Sequence, residues 1–287
     1  MATTATTIQS VLTRTCGFLG TVCSHSLQPY RGCPFGRSLC GVGCYVQHSL
    51  HITQGRPWGS FLEARVNAAE AYRRGVRRER AWARRARDRF TIFMSSATEP
   101  FPPQEAHWGV TKSVLEAMRD EPPDGLIVQT HSHQVATHRE LLRDLAGRCA
   151  LRVHISIETD IEDFPGLPPH ATPIARRFES AELLKEAGLK VVITVSPLLP
   201  IADPDRFFGR IAEVADSVVI DHFLGGDGSV NGARTKRTAL PQAMRAVAPE
   251  SIDLAYRQRM AEVAQRHLPG RVGICIDGFA GRFLEGP

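Results

Sequence analysis

Five of the seven cysteines, Cys16, Cys23, Cys33, Cys40 and Cys44, fall within 29 consecutive residues, and only Cys149 and Cys275 lie elsewhere. An odd number of thiols, most of them crowded into one segment, fits metal or cluster ligation better than a disulfide framework. The last three stand in Gln28-Pro-Tyr-Arg-Gly-Cys33-Pro-Phe-Gly-Arg-Ser-Leu-Cys40-Gly-Val-Gly-Cys44-Tyr45, spaced x6 and x3 in a loop rich in Gly and Pro. Such a backbone can wrap a compact object. Thiolates are soft ligands that suit zinc or iron–sulfur. A structural zinc takes four ligands, usually as two closely spaced cysteine pairs, and that pairing is absent here. Cys16, Cys23, His25 or His48 would have to complete it. Three thiolates without an obvious fourth suit a 4Fe–4S cluster with one iron open to a substrate or cofactor. Spacing alone leaves both readings open.

Other residues invite chemistry less specifically. His131, His133 and His138, with Gln129, gather at the end of the apolar run Leu126–Thr130. An H-x-H there can bind a metal or act as an acid, and a polar cavity mouth explains it equally well. Nine arginines lie between 73 and 89. A solvated helix face is the plain reading, and a grip on nucleic-acid phosphates the sharper one. Cys149 and Cys275, flanked by apolar residues, read as small core hydrophobes.

These residues need a scaffold, and the pattern from Phe90 onward supplies one. Short runs rich in β-branched residues, Thr91–Ser95, Leu126–Thr130, Leu151–Ile157, Val191–Val195, Ser217–Asp221 and Val272–Ile276, alternate with helical stretches. The helices fall near 107–119, 135–147, 173–187, 205–215 and 251–267. Strands alternating with helices of about 10–15 residues imply βαβ units and a parallel sheet. Asp203-Pro204 has the form of an N-cap and first helical residue, and Gly188 that of a helix-ending glycine. With a further strand near Ser26–Arg31, the pattern predicts an α/β fold, a closed or partial β/α barrel. No G-x-G-x-x-G follows a strand, as a doubly wound nucleotide-binding sheet would have it. Residues 60–89 read as one long helix or a helix pair, residues 224–241 as a glycine-rich basic loop, and the first seven residues as a disordered tail. The expected organisation is an N-terminal tail over 1–25, a barrel over 26–245 and a helix–strand extension over 246–287.

Composition bounds the rest. A chain of 287 residues, 43% hydrophobic and 23% charged, is too ordinary for collagen-like, coiled-coil or wholly disordered classes. The apolar runs are far shorter than the ~18 residues of a spanning helix. The start MATTATTIQS carries no basic segment followed by an apolar one, so no secretory signal and a cytoplasmic location are expected. Net charge is +5, and Lys occurs only at 112, 185, 190 and 236, so arginine makes up the other 31 of 35 cationic side chains. That balance permits an anionic partner without demanding one.

The run Pro29-Tyr30-Arg31-Gly32-Cys33, the pair Cys44-Tyr45 and the segment Thr98-Glu99-Pro100-Phe101-Pro102-Pro103-Gln104-Glu105 resemble radical SAM proteins related to spore photoproduct lyase. Ser156-Ile-Glu-Thr159, Arg176-Arg177 and Val195-Ser-Pro-Leu-Leu-Pro200 follow in matching order, and the resemblance spans roughly Gln28 to Phe223. It implies a partial (β/α)6 barrel and a 4Fe–4S cluster on Cys33, Cys40 and Cys44, with S-adenosylmethionine on the open iron. It also implies an electron donor such as flavodoxin or ferredoxin. Glu99 would take the cofactor's amine, Ser156 and Glu158 its ribose, and Arg176 or Arg177 its carboxylate. Tyr45 or Phe35 would pack on the adenine. Cys275 is the thiol that would serve as a lyase-like hydrogen donor, and His131 a second catalytic candidate. Three features depart from the family pattern. The cysteine spacing is C-x6-C-x3-C rather than C-x3-C-x2-C, Gly43 stands where an aromatic usually precedes the third cysteine, and Thr130-His131-Ser132 replaces T-K-S. Three functions compete: a radical enzyme acting on a small molecule, which is the leading expectation; a DNA-lesion lyase whose arginine-rich helix grips phosphates; and a zinc-stabilised module without radical chemistry. No membrane partner is expected.

Overall fold

Alternation at a period of two, read strand by strand, decides which side chains face helices and which face the site. The computed structural model describes residues 1–286. Its strands are β1 (Ala2–Thr6), β2 (Leu12–Arg14), β3 (His25–Leu27), β4 (Tyr30–Gly32), β5 (Phe61–Arg65), β6 (Thr91–Met94), β7 (Gly125–Thr130), β8 (Ala150–Ser156), β9 (Val191–Val195), β10 (Ser217–Ile220) and β11 (Val272–Ile274). The larger sheet has eight strands in the order β11-β10-β9-β8-β7-β6-β3-β2, all neighbours parallel except β2 with β3. Ile92 and Met94, Leu126 and Val128, Val153 and Ile155, Val191 and Ile193, and Val218 and Ile220 all join one core with the crossover helices. The opposite face carries a smaller apolar layer, Phe93, Ile127, Val192 and Val219, capped by Cys23 and Phe279. Among these lie the polar side chains His154, Ser156 and Thr194, all fully buried. Burial of both sheet faces is what parallel strands require. The six strands expected from β6 onward are all present.

The helices follow their signals. Asp203 caps the helix Pro204–Val214 by accepting the Arg206 N–H at 3.1 Å. Gly188 follows the helix Ile174–Glu186 with φ +79°, the left-handed geometry a glycine takes at little cost. The helix Ala68–Arg87 buries Ala68, Ala71, Tyr72, Val76 and Ala83 along one stripe.

Three local expectations are corrected. Residues 61–65 are strand β5 rather than helix, the centre of a small sheet in the order β1-β5-β4. Phe-Leu-Glu-Ala-Arg is made mostly of good helix formers, and pairing to two partners overrides that weak preference. The first residues are not a free tail. β1 pairs in parallel with β5 from Ala2↔Phe61 to Thr6↔Arg65, and the Asn67 amide bonds both the N–H and C=O of Ile8. The last strand stops at Ile274, and Cys275 opens the short helix Cys275–Phe279. Among the described residues no helix is long and apolar enough to cross a membrane.

Candidate functional site

The motif around Cys33 is built to hold that cysteine still. Tyr30 is fully buried and donates to the Glu105 carboxylate. Glu105 in turn accepts the Thr111 and Lys112 N–H groups at 3.1 and 2.9 Å. Arg31 forks onto Glu63 of β5, Nε to Oε2 at 2.6 Å and Nη2 to Oε1 at 2.8 Å. Gly32 has φ +84°, and a Cβ there would run into Phe61. Tyr, Arg and Gly thus fix the strand end from three directions, and Cys33 follows. The return of the loop is as tight. A Cβ on Gly41 would collide with the backbone of Phe35 and Gly36, so only glycine lets the Cys40–Cys44 turn lie on the turn after Cys33.

Cys33, Cys40 and Cys44 all line one cavity of about 370 Å³ at the C-terminal ends of the strands. That is the end where parallel α/β sheets bind ligands. Ser95 and Ser96 after β6, Gln129 and His131 at β7, Ser196 after β9 and Asp221 after β10 share its wall. Burial pushes the Cys33 thiol well up, and Cys40, Glu99 and Cys44 add to it as negative neighbours. Burial and then Glu158 push Cys40 to about 12, and burial pushes Cys44 to about 11. Three crowded, desolvated thiols become thiolates only when a strong cation compensates them, which is the property of a metal-centre ligand set. Among the described residues no group of three or more His, Cys, Asp or Glu side chains converges closely enough to hold a single ion. The three thiols line one cavity together, and a multi-iron cluster, in which each thiolate binds a different iron, needs them on one cavity rather than converged on one point. The donor set fits such a cluster.

Glu99 is buried on the same wall. Its carboxylate accepts the Phe101 N–H at 2.9 Å, the Thr130 hydroxyl at 2.5 Å and the His131 N–H at 2.9 Å. Burial raises its pKa, with His131 the foremost opposing influence. Tyr45 also lines the cavity, its hydroxyl donating to Ser96 O at 3.0 Å.

The other expected cofactor ligands are placed differently. Arg176 is half exposed and pairs with Glu179 at 2.7 Å on the helix surface, apart from the cavity lining. Its neighbour Arg177 is only 2% exposed. One Arg177 Nη reaches Ser156 O at 2.6 Å and Glu158 Oε2 at 2.8 Å, while the other meets His170 Nδ1 at 2.9 Å. Glu158, 1% exposed, also stands 2.7 Å from His131 Nε2. Burial works against its charge, yet Arg177 and then His131 hold the carboxyl well below the usual range. Ser156 bonds Thr194 at 3.0 Å and Gln129 at 3.3 Å. Ser156, Glu158 and Arg177 therefore stand behind the wall, where they fix Gln129 and His131, and do not line it.

Cys275 does not line the cavity either. Arg257 Nη1 lies 2.9 Å from its Sγ, and burial together with Asp221 pushes the thiol to about 12. Cys16, which sequence reasoning left as an accessory thiol, lines the mouth. Sequence reasoning also missed Ser95 and Asp221 as site residues, although they are the last residues of the expected runs Thr91–Ser95 and Ser217–Asp221 and a strand-end rule would have found them. Ser95 adopts φ +71°, rare for a residue with a Cβ, and its buried hydroxyl has no hydrogen-bond partner. The arginine stretch is elsewhere. Arg77 and Arg80 reach Glu121 at 3.1 Å and Arg73 reaches Asp120 at 3.4 Å, both acids preceding the N-terminal end of β7.

No family model matches the chain. An uncharacterized protein of Acidianus two-tailed virus is 31% identical over 148 residues, which is 50% of this chain and 44% of that protein, so the match spans less than half the viral relative. Among solved structures, spore photoproduct lyase complexed with dinucleoside spore photoproduct superposes with TM-score 0.64 at 12% identity, covering 95% of this chain and 81% of that one. A variant of that lyase with bound AdoMet and the same dinucleoside superposes with TM-score 0.55 at 14% identity, covering 88% and 76%. The chain therefore has the fold of spore photoproduct lyase, in agreement with the motif resemblance.

Proposed function

We propose that this chain is a radical SAM enzyme with a partial (β/α)6 barrel, acting on a small molecule. The observation that carries the reading is the delivery of three thiols by one glycine-locked loop to a cavity that Glu99 and four strand ends also line. Cys33, Cys40 and Cys44 would hold a 4Fe–4S cluster. When bound and reduced by a flavodoxin- or ferredoxin-type donor, the cluster and S-adenosylmethionine supply a 5′-deoxyadenosyl radical that abstracts hydrogen from substrate. Glu99 offers its remaining acceptor capacity to the cofactor's amine, and Tyr45 and Phe35 offer faces for the adenine. The Arg177–Glu158 pair positions His131 on the wall, where lysine stands in relatives. Cys275 stays one residue behind, against Asp221.

Charge favours a small substrate over DNA. The cavity wall carries Glu99, Asp221 and Asp227 with one histidine, and among the described residues no Lys or Arg lines it. Phosphates would be repelled there. Of the arginines that could attract DNA, Arg73, Arg77 and Arg80 are paired with acids that precede the N-terminal end of β7, away from the cavity. Anaerobic reconstitution tests the reading: iron and sulfide in cluster proportion, and 5′-deoxyadenosine on reduction with S-adenosylmethionine, are expected. A protein that takes up one zinc and no iron would overturn it. DNA affinity that falls steeply with salt would restore the lyase reading.

A further inference from the structure

The cavity has more acceptor capacity than a single cofactor amine uses. Of its three carboxylates, Asp227 is satisfied locally by the Ser229 N–H at 2.8 Å, the Ser229 hydroxyl at 2.5 Å and the Thr235 N–H at 2.8 Å. Glu99 has the three donors described above. Asp221 differs. It is 3% exposed and lines the cavity, its Oδ2 accepts the Ser196 hydroxyl at 3.1 Å, and its Oδ1 is buried with no hydrogen-bond partner. The turn after β10 passes directly over it, so that a Cβ on Gly226 would strike the carboxylate. On the far side the Cys275 thiol and the His222 N–H bear on the same carboxylate, and Arg257, 2.9 Å from the Cys275 Sγ, adds positive charge, yet none of these makes a hydrogen bond of good geometry to Oδ1.

A buried carboxylate oxygen left unpaired is destabilising, and native proteins rarely leave one without a role. Among the described residues no Lys or Arg lines the cavity to pair Oδ1 directly, and phosphate or carboxylate ligands would worsen the imbalance. The neighbouring wall is apolar and partly aromatic: Pro197, Phe223, Phe279 and the Tyr45 ring. A carboxylate beside aromatic faces recognises a cationic nitrogen on an apolar or planar body. We infer that Asp221 is the substrate anchor, taking a protonated amine of the substrate while Glu99 serves the cofactor. The inference rests on the reading of this cavity as the reaction site.

Benzylamine, an ammonium ion at neutral pH, and benzyl alcohol, its uncharged analogue in shape, are the probes. Their binding is measured by calorimetry on the reconstituted full chain saturated with S-adenosylmethionine, and again on the metal-free chain. Wild type should bind benzylamine about tenfold more tightly than benzyl alcohol, as one charge-assisted hydrogen bond allows. Asp221→Asn, which keeps an acceptor for Ser196, should abolish the preference, and Glu99→Gln should keep it. Equal binding of the two probes by wild type, which needs no variant, overturns the inference. So does a preference that survives Asp221→Asn or vanishes in Glu99→Gln. Asp221→Asn lowering S-adenosylmethionine affinity as much as Glu99→Gln also overturns it, by returning Asp221 to the cofactor. A preference intact in the metal-free chain with no iron uptake or 5′-deoxyadenosine sustains the anchor and sinks the radical reading instead.

Discussion

Replacing Arg177 by Met separates the two roles the sequence left open for this guanidinium. The side chain is 2% exposed and its main partner Glu158 1% exposed, so the substitution leaves a carboxylate with no water and only His131, 2.7 Å away, as a cation. It also removes the 2.6 Å bond to Ser156 O. Breaking a buried ion pair from one side costs about 3–5 kcal/mol. At the 2–4 °C per kcal/mol usual for domains a little smaller than this one, Tm should fall by roughly 10 °C. Arg177→Met/Glu158→Gln should recover much of the loss, because the stranded charge is gone. Glu158 is held below its ordinary range, so its contribution is present above about pH 4 and disappears as pH drops through the folded value. Wild type should therefore lose more stability on acidification than Arg177→Met does. The assay is urea unfolding of the metal-free chain between neutral and acid pH, beside S-adenosylmethionine binding to the reconstituted protein. A variant within 1 kcal/mol of wild type that no longer binds the cofactor would refute the positioning role and restore the direct contact read from the sequence.

Glu79, nearly buried, accepts Arg14 at 2.7 Å and Arg78 at 2.9 Å beside His25 at 3.2 Å; burial opposes its charge, but these partners bring it from 4.5 to about 2. At 1.36 kcal/mol per pH unit that is roughly 3 kcal/mol, present above pH 4.5 and lost toward pH 2, and Glu79→Gln should flatten this part of the pH–stability curve. Cys40→Ala should abolish the visible absorption and iron content of reconstituted protein while the metal-free chain unfolds within about 1 kcal/mol of wild type; retained iron would count against the ligand set. Gly41→Ala should cost about 1–3 kcal/mol by overpacking against Phe35 and Gly36 and should lower iron uptake, whereas normal iron content would show that the loop relaxes freely.

What the sequence determined by itself is what local rules govern. Six strands and their crossover helices were legible because short β-branched runs such as Val-Val-Ile-Thr-Val and markers such as Asp203-Pro204 and Gly188 act over a few residues. The loop presenting Cys33, Cys40 and Cys44 to one space was legible for the same reason, since Gly and Pro write its tight turns into the chain. Tertiary structure alone decided the rest. Phe61–Arg65 became a strand because β1 and β4 are there to pair with it, overriding residues that favour helix. Arg176 and Arg177 are adjacent and chemically identical, and only the helix's rotation against β8 sends one to water and the other to Glu158. Asp221 is a strand-end carboxylate like many others until the Gly226 turn closes over it. Burial changes what a charged group must find as a partner, and burial is a property of the whole packed chain that adjacent residues do not encode.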